Sequence, residues 1–182
     1  MPPKLVLLDR DGVLNEDRDD FVKNPGECIM VPGSAEAVGR LTQAGIKTAI
    51  VTNQSGIGRG LFDEAMLTRI HEKLRDEVRR CGGHFDAIFF CPDTPWEAGP
   101  NRKPEPGMLR QALSMFRTSP GNSIMIGDSL RDLQAAAKAG CGRILVRSGK
   151  GAQTQANGLP PEVLPVSVYN NLNAAVEALL GE

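Results

Sequence analysis

The stretch "KLVLLDRDG", residues 4–12, decides the architecture. A continuous apolar run this short reads as a strand buried on both faces, the form strands take in parallel sheets covered by helices on either side. It breaks into Asp9-Arg10-Asp11-Gly12, so the strand ends there and its carboxyl end opens towards water. The same form recurs in "IKTAIV" (46–51), "DAIFF" (86–90), "SIMIG" (123–127) and "GRILV" (142–146). Helical patterns fill the intervals: one capped by Ser34, running to Gln43 and closed by Gly45; a long one capped by Asp63, with Met66, Ile70, Leu74 and Val78 on one face, stopped by Gly82-Gly83; then Leu109–Phe116, Leu130–Ala139 and Leu172–Leu180. This alternation predicts a single α/β domain over 1–182, built on a doubly wound, Rossmann-like parallel sheet. The stretch Ser148–Pro165 reads as irregular.

Composition narrows the class. A net charge of -1 supplies no basic field for nucleic acid, and 41% hydrophobic with 24% charged residues is the balance of an ordinary globule. Four cysteines without a CxxC or close pair fit a reduced, cytoplasmic chain, and the N-terminal apolar run is too short for a signal or a membrane span. The expectation is a monomer with a small-molecule ligand and neither a nucleic-acid nor a membrane partner.

The residues that follow each strand form a pattern that burial does not require. Asp9, Asp11 and Gly12 follow the first; Thr52-Asn53-Gln54-Ser55-Gly56 the second; Asp128 and Ser129, with Asp132 beyond, the fourth; Lys103 lies in the loop after the third. In a doubly wound sheet these share one crevice. Carboxylates from two strands suit Mg²⁺, which takes one or two carboxylates together with phosphate oxygens and waters; Asp9 and Asp128 are the candidates. A carboxylate facing a phosphorus atom can serve as nucleophile, provided cations and donors such as Lys103 and the Thr52 hydroxyl offset the phosphoryl charge. Asp11, two residues on, is placed to protonate the leaving oxygen and later deprotonate water.

"LLDRDGVLNED", "IVTNQSGIGRG", "RKPEPGML" and "MIGDSLRDLQAA" resemble, in order, the four motifs of the haloacid dehalogenase phosphatases, in the branch that holds histidinol-phosphate phosphatase and heptose 1,7-bisphosphate 7-phosphatase. The resemblance implies Asp9 as nucleophile, Asp11 as acid/base, Mg²⁺ held by Asp9 and Asp11, through both side chain and backbone of that motif, and by Asp128, and phosphoryl stabilisation by Thr52 and Lys103. It implies substrate recognition by Arg102, and we expect Asn53, Gln54, Ser55, Arg59 and Ser129 on the substrate side. The short spacing between the first two motifs implies the capless form, with the loops 15–28, 54–60 and 91–103 setting specificity. The substrate expected is D-glycero-D-manno-heptose 1,7-bisphosphate, losing its 7-phosphate. Histidinol phosphate is the alternative, followed by a polynucleotide 3′-phosphate and, outside enzymes, a phosphoacceptor receiver domain.

Other features carry two readings. Asp132 either orients Lys103 or supports Mg²⁺ without touching it, or else only sits in the first turn of a helix, and Trp96 either closes the substrate loop or packs it down. Asp17, Arg18 and Asp19 either touch substrate or form a solvated face. "RSGKG" (147–151) fails the P-loop spacing and reads as a plain loop, and His71 as a surface or partly buried residue. In this branch the loop before Arg102 commonly holds a structural Zn²⁺ through paired cysteines and a histidine. Here those positions are Cys91, Asp93, Gly99 and Asn101, and tetrahedral closure needs four ligands, so zinc is expected to be absent. Pro92, Pro95 and Pro100 are expected to stiffen the loop instead.

Overall fold

The computed structural model describes residues 1–182. Six parallel strands, β1 (Leu5–Leu8), β2 (Lys47–Asn53), β3 (Ala87–Cys91), β4 (Ser123–Gly127), β5 (Gly142–Val146) and β6 (Ser167–Tyr169), form one sheet in the order β3-β2-β1-β4-β5-β6. This is the doubly wound order, with β1 and β4 adjacent at its point of reversal. In that central pair Leu8 stands beside Ile126, so the residues that follow both strands emerge side by side.

The helices are α1 (Ser34–Gln43), α2 (Ser55–Gly58), α3 (Glu64–Arg80), α4 (Gly107–Met115), α5 (Leu130–Ala139), α6 (Gly151–Ala156) and α7 (Leu172–Leu180). Strand alternation divides the core. Val6, Leu8, Ile50 and Ile126 pack with α1, α3 and α7, whereas Leu5, Leu7, Val51 and Met125 pack with α4 and α5. Between β1 and β2 the chain adds only a 3-10 turn and α1, which is the capless arrangement.

Two caps illustrate what sequence did and did not specify. Asp63 caps α3 by accepting the Met66 N–H at 2.8 Å. Ser34 does not cap α1: Gly33, at φ 82°, occupies the N-cap, and the Ser34 hydroxyl donates to the Leu14 carbonyl at 2.7 Å, tying the helix to the first loop. Strand β6 and helix α6 lie in and just beyond the stretch read as irregular. Their short runs, broken by prolines, give no periodic signal, and tertiary pairing with β5 creates the strand.

Candidate active site

Asp9, Asp128 and Asp132 converge at the β1–β4 switch point, offering carboxylate oxygens within 4.8 Å of one another. Buried Lys103 arrives from the far side of β2. Its Nζ donates to Asp9 Oδ1 (3.0 Å), Asp132 Oδ1 (2.6 Å) and the Val51 carbonyl (2.8 Å), saturating its three N–H groups. Asp132 both orients Lys103 and sits in the first turn of a helix. While Oδ1 holds Lys103, Oδ2 accepts from the Asp128 and Ser129 N–H groups and the Ser129 hydroxyl, closing a capping box at the start of α5. With Asp132 so committed, Asp9 and Asp128 are left to hold a cation.

Two glycines let these carboxylates meet. Gly12 sits at φ 84°, and a Cβ there would lie 2.0 Å from Asp128 Oδ2; Gly149, at φ 58°, would bring one within 2.4 Å of the same oxygen. The backbone of residues 148–150 therefore belongs to the site. Lys150 N donates to Asp128 Oδ2 at 2.8 Å and Ser148 Oγ to the Gly12 carbonyl at 2.7 Å. Residues 147–151, expected to be a plain loop, thus help build the site, and they do so largely through backbone geometry and one backbone N–H, which leave no side-chain motif.

Electrostatics separates the carboxylates. Burial, and then the neighbouring Asp132, push Asp9 up to about 7 even against Lys103. Burial, followed by Asp9 and Asp132, pushes Asp128 up to about 9. Crowded carboxylates with one ammonium among them favour a bound divalent cation, which would hold both ionised. Asp11 goes the other way. Burial alone would raise it, but the Arg10 charge and hydrogen bonds from Asn15, Arg10 and Gln54 hold it below its ordinary value. Its carboxylate stands outside the Asp9–Asp128–Asp132 group, turned towards Arg10, so any metal contact from this residue falls to its backbone.

A family model described as HAD-hydrolase-like matches residues 100–175. The chain is 49% identical, over 98% of its length and 99% of the relative's, to the D-glycero-β-D-manno-heptose-1,7-bisphosphate 7-phosphatase of Bordetella bronchiseptica. It is 43% identical, over 99% of both, to the enzyme of the same name from Pseudomonas aeruginosa. The chain belongs to the haloacid dehalogenase (HAD)-like hydrolase family. A crystal structure of the B. bronchiseptica D,D-heptose 1,7-bisphosphate phosphatase complexed with magnesium and phosphate superimposes with a TM-score of 0.93 at 48% identity, covering 98% of each chain.

Around the carboxylates, this HAD-like chain forms a crevice of about 260 Å³ with 17 lining residues, of which one is hydrophobic, a surface for a small polar ligand. Its rim is cationic: Arg59, Arg102 and Arg131 line it, and none of the three is in an ion pair. Burial, then Arg131 and later Arg59, lower the proton affinity of Arg102, outweighing the opposite pull of Cys91 and Asp93, so like charge dominates this rim. Arg59 is clasped between Phe21, 5.4 Å from its guanidinium carbon, and Trp96, 4.9 Å away, so all three specificity loops meet on one side chain. Trp96 stays 67% exposed and meets the Arg59 guanidinium, so it does not anchor the loop in a core.

Several expected contacts are redirected inward. Gln54 does not line the crevice. Its amide is buried and donates to Asp11 Oδ2 (3.1 Å) and Thr52 Oγ1 (2.9 Å). Asn53 reaches the crevice wall, yet both its polar atoms pair with the Lys103 backbone at 3.0 Å, fixing that loop to β2. Thr52 is buried off the crevice wall and accepts from Gln54; Ser55 and Ser129 do line the crevice, Ser55 accepting from Arg59 Nε at 3.3 Å and Ser129 held in the capping box. Asp17, Arg18 and Asp19 line the crevice mouth, where Lys150 reaches Asp17 at 3.5 Å. Arg131 carries no motif signal: it lies on the first turn of α5, and only the fold turns it to the rim. In the 91–103 loop, Asp93 accepts the Gly99 N–H at 3.0 Å, Arg102 donates to the Asp93 carbonyl at 2.9 Å, and Asn101 accepts from Gln111 at 3.2 Å.

Proposed function

We propose that the chain is a Mg²⁺-dependent phosphomonoesterase that removes the 7-phosphate of D-glycero-D-manno-heptose 1,7-bisphosphate through an aspartyl-phosphate on Asp9. The observation that carries the chemistry is the convergence of Asp9, Asp128 and Asp132 on Lys103 at the sheet's switch point. Bound Mg²⁺, held by Asp9 and Asp128, would supply positive charge to the phosphoryl oxygens. Asp9 Oδ1 is fixed by Lys103 and by the Arg10 N–H at 2.8 Å, whereas Oδ2 takes no hydrogen bond from the chain and is the oxygen free to attack. Lys103 then stabilises charge on the transferring group. Asp11 is ionised in the free protein; a phosphate dianion beside it raises its proton affinity, readying it to protonate the leaving oxygen and afterwards to take a proton from water.

The substrate follows from two supports: full-length relatives bearing that activity, and three unpaired guanidiniums suited to a second anionic group. The test is inorganic phosphate release from both anomers of the heptose bisphosphate, from histidinol phosphate and from a 3′-phosphorylated oligonucleotide, with Asp9→Asn as control. Activity confined to either of the last two, or full activity in Asp9→Asn, would overturn the reading.

A further inference from the structure

Arg10 is fully buried between the two catalytic aspartates, and the reaction outlined above gives its side chain no task. Its guanidinium is held on two edges. Nε and Nη2 donate to Asp11 Oδ1 at 3.3 and 2.8 Å, and Nη1 lies 3.3 Å from Nε2 of His71, a residue of α3 sixty-one positions away. An arginine only donates, so His71 Nε2 is the acceptor and the ring proton sits on Nδ1. The ring stays neutral, because burial and then the adjacent Arg10 charge drop its proton affinity to about 3.

The consequence falls on Asp11. Oδ1 receives Arg10 twice and Asn15 once, at 2.9 Å, and is saturated; Oδ2 receives only Gln54 and keeps a lone pair. We propose that His71 is a positioning residue for general acid–base catalysis: by accepting from Arg10 it fixes the guanidinium plane, which pins Asp11 Oδ1 and presents Oδ2 as the oxygen that exchanges the proton. The proposal rests on the phosphatase reading. A planar fork held at both edges orients a carboxylate, whereas one released from His71 still neutralises it but lets it swing. The chain of contacts also explains a histidine on the otherwise aliphatic buried face of α3, beside Ile70 and Leu74.

The test compares kcat/KM on an alkyl phosphate, whose leaving oxygen needs a proton, with kcat/KM on p-nitrophenyl phosphate, whose leaving group departs as a stable anion; this ratio reads phosphoryl transfer to Asp9 and leaves out the later hydrolysis that both esters share. A positioned general acid contributes about 10²–10⁴-fold, so its misplacement costs part of that. His71→Met is expected to lower kcat/KM on the alkyl ester about 10- to 100-fold, with kcat/KM on the aryl ester held within about twofold. His71→Gln, which keeps an acceptor, is expected to recover most of the loss. Arg10→Lys, with His71 intact, should show the same skew towards loss on the alkyl ester, which keeps the proposal testable should His71→Met not fold. Equal loss on both esters, no loss, or a His71→Gln indistinguishable from His71→Met overturns the proposal alone. A wild type that releases phosphate from neither ester overturns the phosphatase reading and the proposal with it.

Discussion

Replacing Asp132 by Asn tests how the site is held together. The carboxylate serves Lys103 with one oxygen and the Asp128 N–H, the Ser129 N–H and the Ser129 hydroxyl with the other, while 1% exposed. An amide has one acceptor and one donor end, so in either orientation its NH₂ opposes a donor: the Lys103 ammonium or the N–H groups of the cap. Removing one member of a buried ion pair costs about 3–5 kcal/mol, and about 2–4 °C of Tm accompanies each kcal/mol in a chain of this size, giving a fall of roughly 6–20 °C. Activity falls as well. Lys103 keeps only Asp9 and the Val51 carbonyl as partners, so its ammonium drifts onto the nucleophile, and a shift of about 1 Å there is worth about 10²-fold in kcat. Thermal unfolding and phosphate release at saturating Mg²⁺ measure both effects. A double-mutant cycle with Lys103→Met isolates the pair, with an expected coupling of about 1–3 kcal/mol. Coupling below about 0.5 kcal/mol would refute the argument, because the two residues would then act independently.

In metal-stripped protein, stability should fall as pH rises from about 4 to about 9. Asp9 and Asp128 titrate in the fold near 7 and 9 against an ordinary 3.8, so the native state binds more protons than the unfolded chain across that window. Asp11, shifted down, acts with the opposite sign and only on the acid side. Unfolding scans from pH 5 to 9 with a chelator should show this slope, Mg²⁺ should flatten it, and a slope unchanged by Mg²⁺ would count against the metal assignment. Arg131→Ala should raise KM for the heptose bisphosphate about tenfold or more while leaving KM for a monophosphate sugar within about twofold, read in parallel phosphate-release assays. Elemental analysis after exchange into Mg²⁺ should find less than stoichiometric zinc, since the loop offers Cys91 and Asp93 where closure needs four ligands.

The sequence by itself determined five of the six strands, the helices α1, α3, α4, α5 and α7, and the chemistry at the strand ends. Apolar runs that break into charge are local signals, and the order of the four motifs ties Asp9, Asp11, Lys103 and Asp128 to one crevice without any distance being known. Tertiary structure decided how those residues are supported. Residues around Gly149 and Lys150 act through backbone N–H groups, which leave no trace in side-chain identity. Gln54 sits inside a motif, yet its direction depends on which donors Asp11 lacks once folded. Arg59, Arg102 and Arg131 come from three separate segments, and their common rim exists only when β2, the 91–103 loop and α5 are brought together. His71 looks like any residue of an amphipathic helix until α3 packs it against Arg10. Periodicity fixes which face of an element is buried; what that face meets is set by contacts distant in the chain, where a polar group must find its partner or lose the hydrogen bonds it had in water.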